Sequence, residues 1–236
     1  MTQPAAGDLR VAFFGGSFDP PHRGHLAVAR AARAALGLDT VLFAPVGAQP
    51  LKPLGSTASF ADRLAMTRLA VADEPGFAVS LVDAPAPGGA PNYTIDTLLG
   101  LRAMLPPGGA LFCLMGADSF LALRHWHRGT EIPFAASLIV ASRPGQRLGD
   151  LAAVLPAGLS IDAEAAAPGA VEVQSYTLRN GAGATAPFYL LPGLHVEISA
   201  SEIRRQVRAA RGRLPAGHEL LPDAVSDYIA AHKLYR

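Results

Sequence analysis

"GGSFDPPHRGH", residues 15–25, decides how the rest of the chain is read. It follows an apolar run, "LRVAFF" (9–14), and precedes "LAVARAARAAL" (26–36), whose apolar residues recur at helical spacing. The order strand, glycine-rich turn, helix is the opening unit of a parallel α/β sheet, in which ligands bind beyond the carboxyl ends of the strands. Gly15 and Gly16 permit backbone angles and close approaches that side chains forbid. Pro20 and Pro21 stiffen the turn, and Gly24 leaves space beside the helix start. The helix N-terminus offers unpaired N–H groups and the positive end of a dipole. His22 and His25 in that first turn add hydrogen-bond donors, a combination suited to a polyphosphate. The turn is neither G-x-G-x-x-G nor a Walker loop. H-x-x-H can also be a metal pair, but Asp19 is the only further ligand nearby and the spacing matches no zinc pattern.

The same alternation continues outward. "RVAFFG" (10–15), "TVLFAPV" (40–46), "FAVSLVD" (77–83), "ALFCLMG" (110–116) and "ASLIVASR" (136–143) read as strands covered on both faces, since they lack polar–apolar alternation. Residues 25–37, 59–73 and 92–105 read as helices, with Ser59 and Asn92 as N-caps. The expected fold class is α/β. It is a Rossmann-like parallel sheet with helices on both faces, in a single domain over residues 1–236 that ends in two helices, 198–212 and 222–235. Residues 146–190 are rich in Ala, Gly and Pro. They read as an insertion of loop and weak helix with one strand, "VEVQSY" (171–176).

Composition bounds the alternatives. The chain has 236 residues, half of them apolar, which supports a sizeable core. A net charge of +1 announces neither a nucleic-acid nor a membrane partner. No apolar run approaches the ~20 residues of a membrane span, and "MTQPAAGDLR" has no leader pattern. The lone Cys113 lies in an apolar run and reads as a buried core thiol. One cysteine makes no intrachain disulfide, which fits a cytoplasmic protein.

Two motifs carry a family resemblance. "GGSFDPPHRGH" resembles the G-x-F-x-P-x-H-x-G-H signature of the nucleotidyltransferase superfamily, and "ISASEIR" (198–204) resembles its second signature, I-S-x-x-x-I-R. "NYTIDTL" (92–98), "LMGADSF" (114–120) with Trp126, "ASRPG" (141–145) and the ending "LLPDAVSDYIAAHKLYR" resemble one branch, the bacterial nicotinate-mononucleotide adenylyltransferases. That branch usually carries Pro-Pro-His-Lys after its second strand. Here the run is "AQPLKP" (48–53), with Leu51 in the histidine's place and Lys52 retained.

The resemblance implies transfer of an adenylyl group from ATP to nicotinate mononucleotide, with Mg2+ carried by the ATP and no metal held by the protein itself. His22 and His25 would be the catalytic pair. Gly15, Gly16, Ser17, Phe18, Gly24, Lys52, Gly116, Asp118, Ser199 and Arg204 would bind ATP. Tyr93, Thr94 and Trp126 would bind the mononucleotide. The residues fit such chemistry. A substrate phosphate is already an anionic nucleophile, and the chain has no G-x-S-x-G elbow. Ser199-x-x-Glu202 is also a capping box, and Asp118 could equally be a helix cap. Two rivals remain open on residues alone: a sister transferase acting on nicotinamide mononucleotide, phosphopantetheine or a sugar phosphate, and a nucleotide sensor on the same fold.

Overall fold

The computed structural model describes residues 9–51, 55–142, 152–163, 173–191, 198–211, 214 and 219–236. Eight strands form one mostly parallel sheet: β1 (Arg10–Gly16), β2 (Thr40–Pro45), β3 (Phe77–Val79), β4 (Ala110–Gly116), β5 (Ser137–Ala141), β6 (Leu159–Ala163), β7 (Gln174–Asn180) and β8 (Thr185–Leu191). Their order is β3-β2-β1-β4-β5-β8-β7-β6. β1–β4, β4–β5 and β5–β8 pair parallel, while β6–β7 and β7–β8 pair antiparallel. The helices among the described residues are α1 (Arg23–Leu36), α2 (Phe60–Val71), α3 (Thr94–Met104), α4 (Ala117–Leu121), α5 (Ile132–Ala135), α6 (Ala200–Ala209) and α7 (Asp223–Ala231).

The chain gathers into two compact units. One is drawn from Met1–Phe14, Arg30–Val41 and Tyr93–His195, the other from Gly15–Ala29, Leu42–Asn92 and Val196–Arg236. In the first, Leu111, Phe112, Cys113, Leu114 and Met115 of β4 and Leu138, Ile139 and Val140 of β5 are all buried. Apolar side chains on both faces of a strand explain why these segments lack alternation. Cys113 is buried among them, as its apolar context predicts. In the second, α2 turns Arg63, Met66, Thr67, Ala70 and Val71 inward at helical spacing.

The caps divide. Ser59 is the N-cap of α2, its hydroxyl accepting from the Asp62 N–H at 3.1 Å. Asn92 is not the cap of α3; that position is Tyr93, with no side-chain cap bond. The Asn92 amide is engaged elsewhere, its Oδ1 accepting from the Ala48 N–H and its Nδ2 donating to the Ala84 carbonyl, both at 3.0 Å.

Residues 146–190 correct the sequence reading most. Their described part holds three strands, where the sequence predicts one. β7 begins three residues after the start of the expected "VEVQSY" strand, whose Val171 and Glu172 lie outside the described residues. β8 is interior to the sheet, with Phe188, Leu190 and Leu191 buried. Pro187 disguises it, since proline lacks the N–H an interior strand needs. The structure accommodates it because β5 pairing starts one residue later, at Leu138 opposite Phe188. "ASRPG" is described only through Ser142.

Candidate functional site

The second unit brings His22, His25, Ser17, Phe18, Gly15, Gly16, Gly24, Ser199 and Arg204 into one region of the fold. His22 immediately precedes α1, and its carbonyl accepts the His25 N–H at 2.9 Å, so it stands at the cap position. The His25 ring reaches back, its Nδ1 accepting the His22 backbone N–H at 3.1 Å. That is the reciprocal half of a capping box, made by histidine where Glu or Gln is usual. Accepting at Nδ1 leaves the proton of the neutral ring on Nε2, which makes His25 a donor with an assigned nitrogen. The two rings stack at 3.6 Å, 21° from parallel.

Burial sets the charge of the pair. A protonated imidazole donates from both nitrogens, a neutral one from a single nitrogen. Burial pushes His22 down to about 4. Burial, and then the neighbouring His22, hold His25 well below the ordinary histidine value. Both are therefore neutral at pH 7, with one donor each. His22 is buried, and its Nδ1 finds no hydrogen-bond partner among the described residues. A buried polar nitrogen without a partner is costly and needs an explanation.

Gly16 and Phe18 serve the pair from behind. A Cβ on Gly16 would lie 3.3 Å from the Phe18 ring, so the glycine makes room for that ring. Phe18 is buried, edge-on to His25 at 5.0 Å and tilted against Phe43 at 5.6 Å. Its ring supports the site without lining it. The Ser17 hydroxyl donates to Gln49 Oε1 at 3.1 Å, and the Ser17 carbonyl accepts from Arg63 at 2.7 Å. Arg204 on α6 donates from Nη1 to the Asp19 carbonyl at 2.7 Å and from Nη2 to Ser201. Ser199 caps α6 by accepting from the Glu202 N–H at 3.1 Å. The acid completes no box, since Glu202 engages Gln206 and Arg205. Lys52 lies outside the described residues; Leu51, beside it, is exposed.

Gly116, Asp118, Tyr93, Thr94 and Trp126 belong to the first unit. Gly116 is the N-cap of α4, with open space where a Cβ would stand, and Asp118 is an exposed acid in that helix's first turn, not its cap. Thr94 opens α3. The Tyr93 ring lies 4.3 Å from the His127 ring. Trp126 is half-buried on a loop made of two turns, its N–H donating to the Leu123 carbonyl and its carbonyl accepting from the Gly129 N–H, both at 3.0 Å. A Cβ on Gly129 would collide with the Leu123 carbonyl, so glycine closes that loop. The positive charge beside Trp126 is partly neutralised. Arg128 makes a two-pronged bond to Glu131 and lies 3.7 Å from Asp96, an acid in the first turn of α3.

Arg63 escaped the sequence reading. It is the one charged residue on the inward face of α2, and an arginine at an apolar-face position was the available signal. From the sequence Asp19 reads only as a metal ligand. Its carboxylate instead accepts from the Thr57 and Ala58 N–H groups and from the Tyr235 hydroxyl. Among the described residues no three His, Cys, Asp or Glu side chains gather into a metal-binding group. No helix there is long and apolar enough to cross a membrane.

The cytidylyltransferase-like family model matches residues 13–206. The Solibacter usitatus "Probable nicotinate-nucleotide adenylyltransferase" is 37% identical over 227 residues, covering 96% of this chain and all of that one. The Gloeobacter violaceus protein of the same description is 40% identical, covering 96% of both. The solved structure of Plasmodium falciparum nicotinic acid mononucleotide adenylyltransferase superposes with a TM-score of 0.66. It covers 96% of this chain and 97% of that one, at 15% identity, and so speaks to the fold.

Proposed function

The chain belongs to the cytidylyltransferase-like family and, within it, to the nicotinate-nucleotide adenylyltransferases, and on that premise we propose that it transfers the adenylyl group of ATP to the phosphate of nicotinate mononucleotide. An oxygen of the mononucleotide phosphate attacks the α-phosphorus of ATP. The bond to the β-phosphate oxygen breaks, pyrophosphate leaves, and nicotinate adenine dinucleotide forms, a step of NAD biosynthesis. The nucleophile arrives already anionic, so catalysis is positioning and charge stabilisation.

One observation carries the reading: a stacked, neutral histidine pair at the start of α1, with a His22 nitrogen that has no partner among the described residues and a defined Nε2 donor on His25. A polyphosphate would supply the missing partner and the negative charge that draws a proton onto the pair. His25 would donate to the charge growing at the reacting phosphorus and the departing pyrophosphate. Arg204 and the Ser199-capped start of α6 would hold the outer phosphates, with Gly15, Gly16, Ser17 and Gly24 supplying backbone close to them and Lys52 a further cation. Mg2+ would enter bound to ATP, where Asp118 could hold one of its waters. Gly116, with its open approach, would receive the nucleoside. Tyr93, Thr94 and Trp126 would receive the pyridine ring and its carboxylate.

The family match over residues 13–206 runs through both compact units, which supports one nucleotidyltransferase domain over residues 1–236, with 146–190 as its insertion. A cytoplasmic location goes with this reading. The test is pyrophosphate release from ATP and Mg2+ with each candidate acceptor in turn. Turnover with nicotinate mononucleotide is expected. Turnover only with another phosphorylated acceptor, or binding of ATP without turnover, would replace this reading with the sister transferase or the sensor.

A further inference from the structure

The bonds to the Asp19 carboxylate have no part in the transfer chemistry, yet they brace the loop that carries the histidines. The Asp19 side chain is buried, 4% exposed. Its Oδ1 accepts from the Tyr235 hydroxyl at 2.7 Å and from the Ala58 N–H at 3.1 Å, and its Oδ2 accepts from the Thr57 N–H at 2.6 Å. Its backbone carbonyl accepts from Arg204. Arg63, also buried, donates to the carbonyls of Ser17 and Val46 at 2.7 and 2.8 Å. At the far end of the same loop the Arg23 N–H and side chain donate to the Leu220 and Leu221 carbonyls, in the segment leading into α7. The residues after α7 thus return to the loop that α7's entrance already touches.

The loop so held is strained. Phe18 has φ +46°, a region that a bulky aromatic residue rarely adopts and that persists only where the surroundings over-determine it. Tyr235 is itself at φ +59° and buried. Asp19 connects to His22 through Pro20 and Pro21, whose φ angles are fixed by their rings. A shift of Asp19 therefore reaches His22 with little slack, and on its other side Phe18 stands edge-on to His25.

We infer that Tyr235, four residues beyond α7, is a positioning residue for adenylyl transfer: its hydroxyl, through the Asp19 carboxylate, holds the turn from Phe18 to His25 in the geometry in which His22 and His25 act. The hydroxyl is the discriminating atom. A purely packing role would be met by phenylalanine, whereas removing the hydroxyl leaves a buried carboxylate oxygen short of a donor.

The inference rests on the adenylyl-transfer reading, and the test separates the two. Tyr235→Phe is expected to lower kcat about tenfold at saturating ATP and nicotinate mononucleotide, the scale of one lost charged hydrogen bond. KM for the mononucleotide should stay within about twofold. The imidazole ring resonances of His22 and His25, recorded without substrate, should move, while those of His127 should not. Asp19→Asn should reproduce the loss, and the double variant should be no worse than the worse single variant, since both act through one link. Unchanged kcat with unchanged His22 and His25 resonances in Tyr235→Phe would overturn the inference, as would losses that multiply in the double variant. If the wild type failed to turn over nicotinate mononucleotide, the proposed function would fall, and the substrate-free resonances would still decide the role of Tyr235.

Discussion

Around His22 and His25 the bonds reach far along the chain and end in buried groups. Asp19 meets Tyr235, Arg23 meets Leu221, Arg63 meets Val46 and Arg204 meets Asp19. Around Trp126 they are local: Trp126 to Leu123, Gly129 to Trp126, and Arg128 to Glu131, the last of these exposed. The first cluster is fixed by the whole of its unit, the second largely by its own turns. The difference matches what each is proposed to do. Stabilising charge on a phosphorus needs donors set beforehand to within fractions of an ångström. Receiving a flat ring needs a face of the right kind, and tolerates adjustment.

Four experiments would break or sharpen that contrast. His25→Ala should lower kcat by at least ~10²-fold, since it removes a preset donor; near-normal turnover would place the chemistry elsewhere. The buried pair should also appear in stability. His22 titrates near 4 in the folded chain against 6.5 unfolded, so between those values the unfolded chain binds more protons. Stability therefore falls as pH drops through that window, by about 2 kcal/mol between pH 7 and pH 5. Denaturant midpoints at the two pH values should show this fall in the wild type and a smaller one in His22→Gln. Equal falls would mean that His22 is not held neutral. Arg204→Ala should weaken ATP binding about tenfold and nicotinate mononucleotide less than about twofold, while Arg211→Ala should change neither. Equal weakening of both substrates by Arg204→Ala would dissolve the division of labour between the clusters. The smallest effects belong to the exposed cluster. Preference for nicotinate over nicotinamide mononucleotide should be about tenfold in kcat/KM. Asp96→Asn, by removing an acid from the first turn of α3, should raise that preference about twofold to threefold. A preference unmoved by Asp96→Asn would take the carboxylate away from that helix start.

Most of the sheet was legible because its central strands are apolar runs punctuated by Gly and Pro, and because Ser59 sits where only a cap makes sense. β8 was not legible. Its alternation is interrupted by Pro187, and its burial comes from pairing with β5, a partner about fifty residues away that no local pattern announces. The histidines stood out in sequence because they follow a glycine-rich turn at a helix start, and Arg204 because "ISASEIR" resembles the family's second signature. Their protonation did not, since it depends on burial and on the 3.6 Å stacking of the two rings. Asn92 misled for a simpler reason. A residue able to cap can also bridge, and the carbonyl of Ala84 and the N–H of Ala48 were within its reach.

The placement of β8 also dictates an order of assembly. β7 and β8 are joined by a tight local turn, in which Asn180 Oδ1 accepts the Ala182 and Ala184 N–H groups and Gly183 adopts φ +84°. Such a hairpin closes in microseconds. Seating β8 on β5 must instead close the loop from Leu138 to Phe188, at an entropic cost of about 3–4 kcal/mol before any strand contact repays it. The hairpin therefore forms early and waits, and its docking onto β5 is the slow event. Loosening the Asn180 turn should accordingly slow folding and leave the unfolding rate nearly unchanged, whereas truncating Phe188, whose contact with β5 forms in the docking step itself, should change both rates.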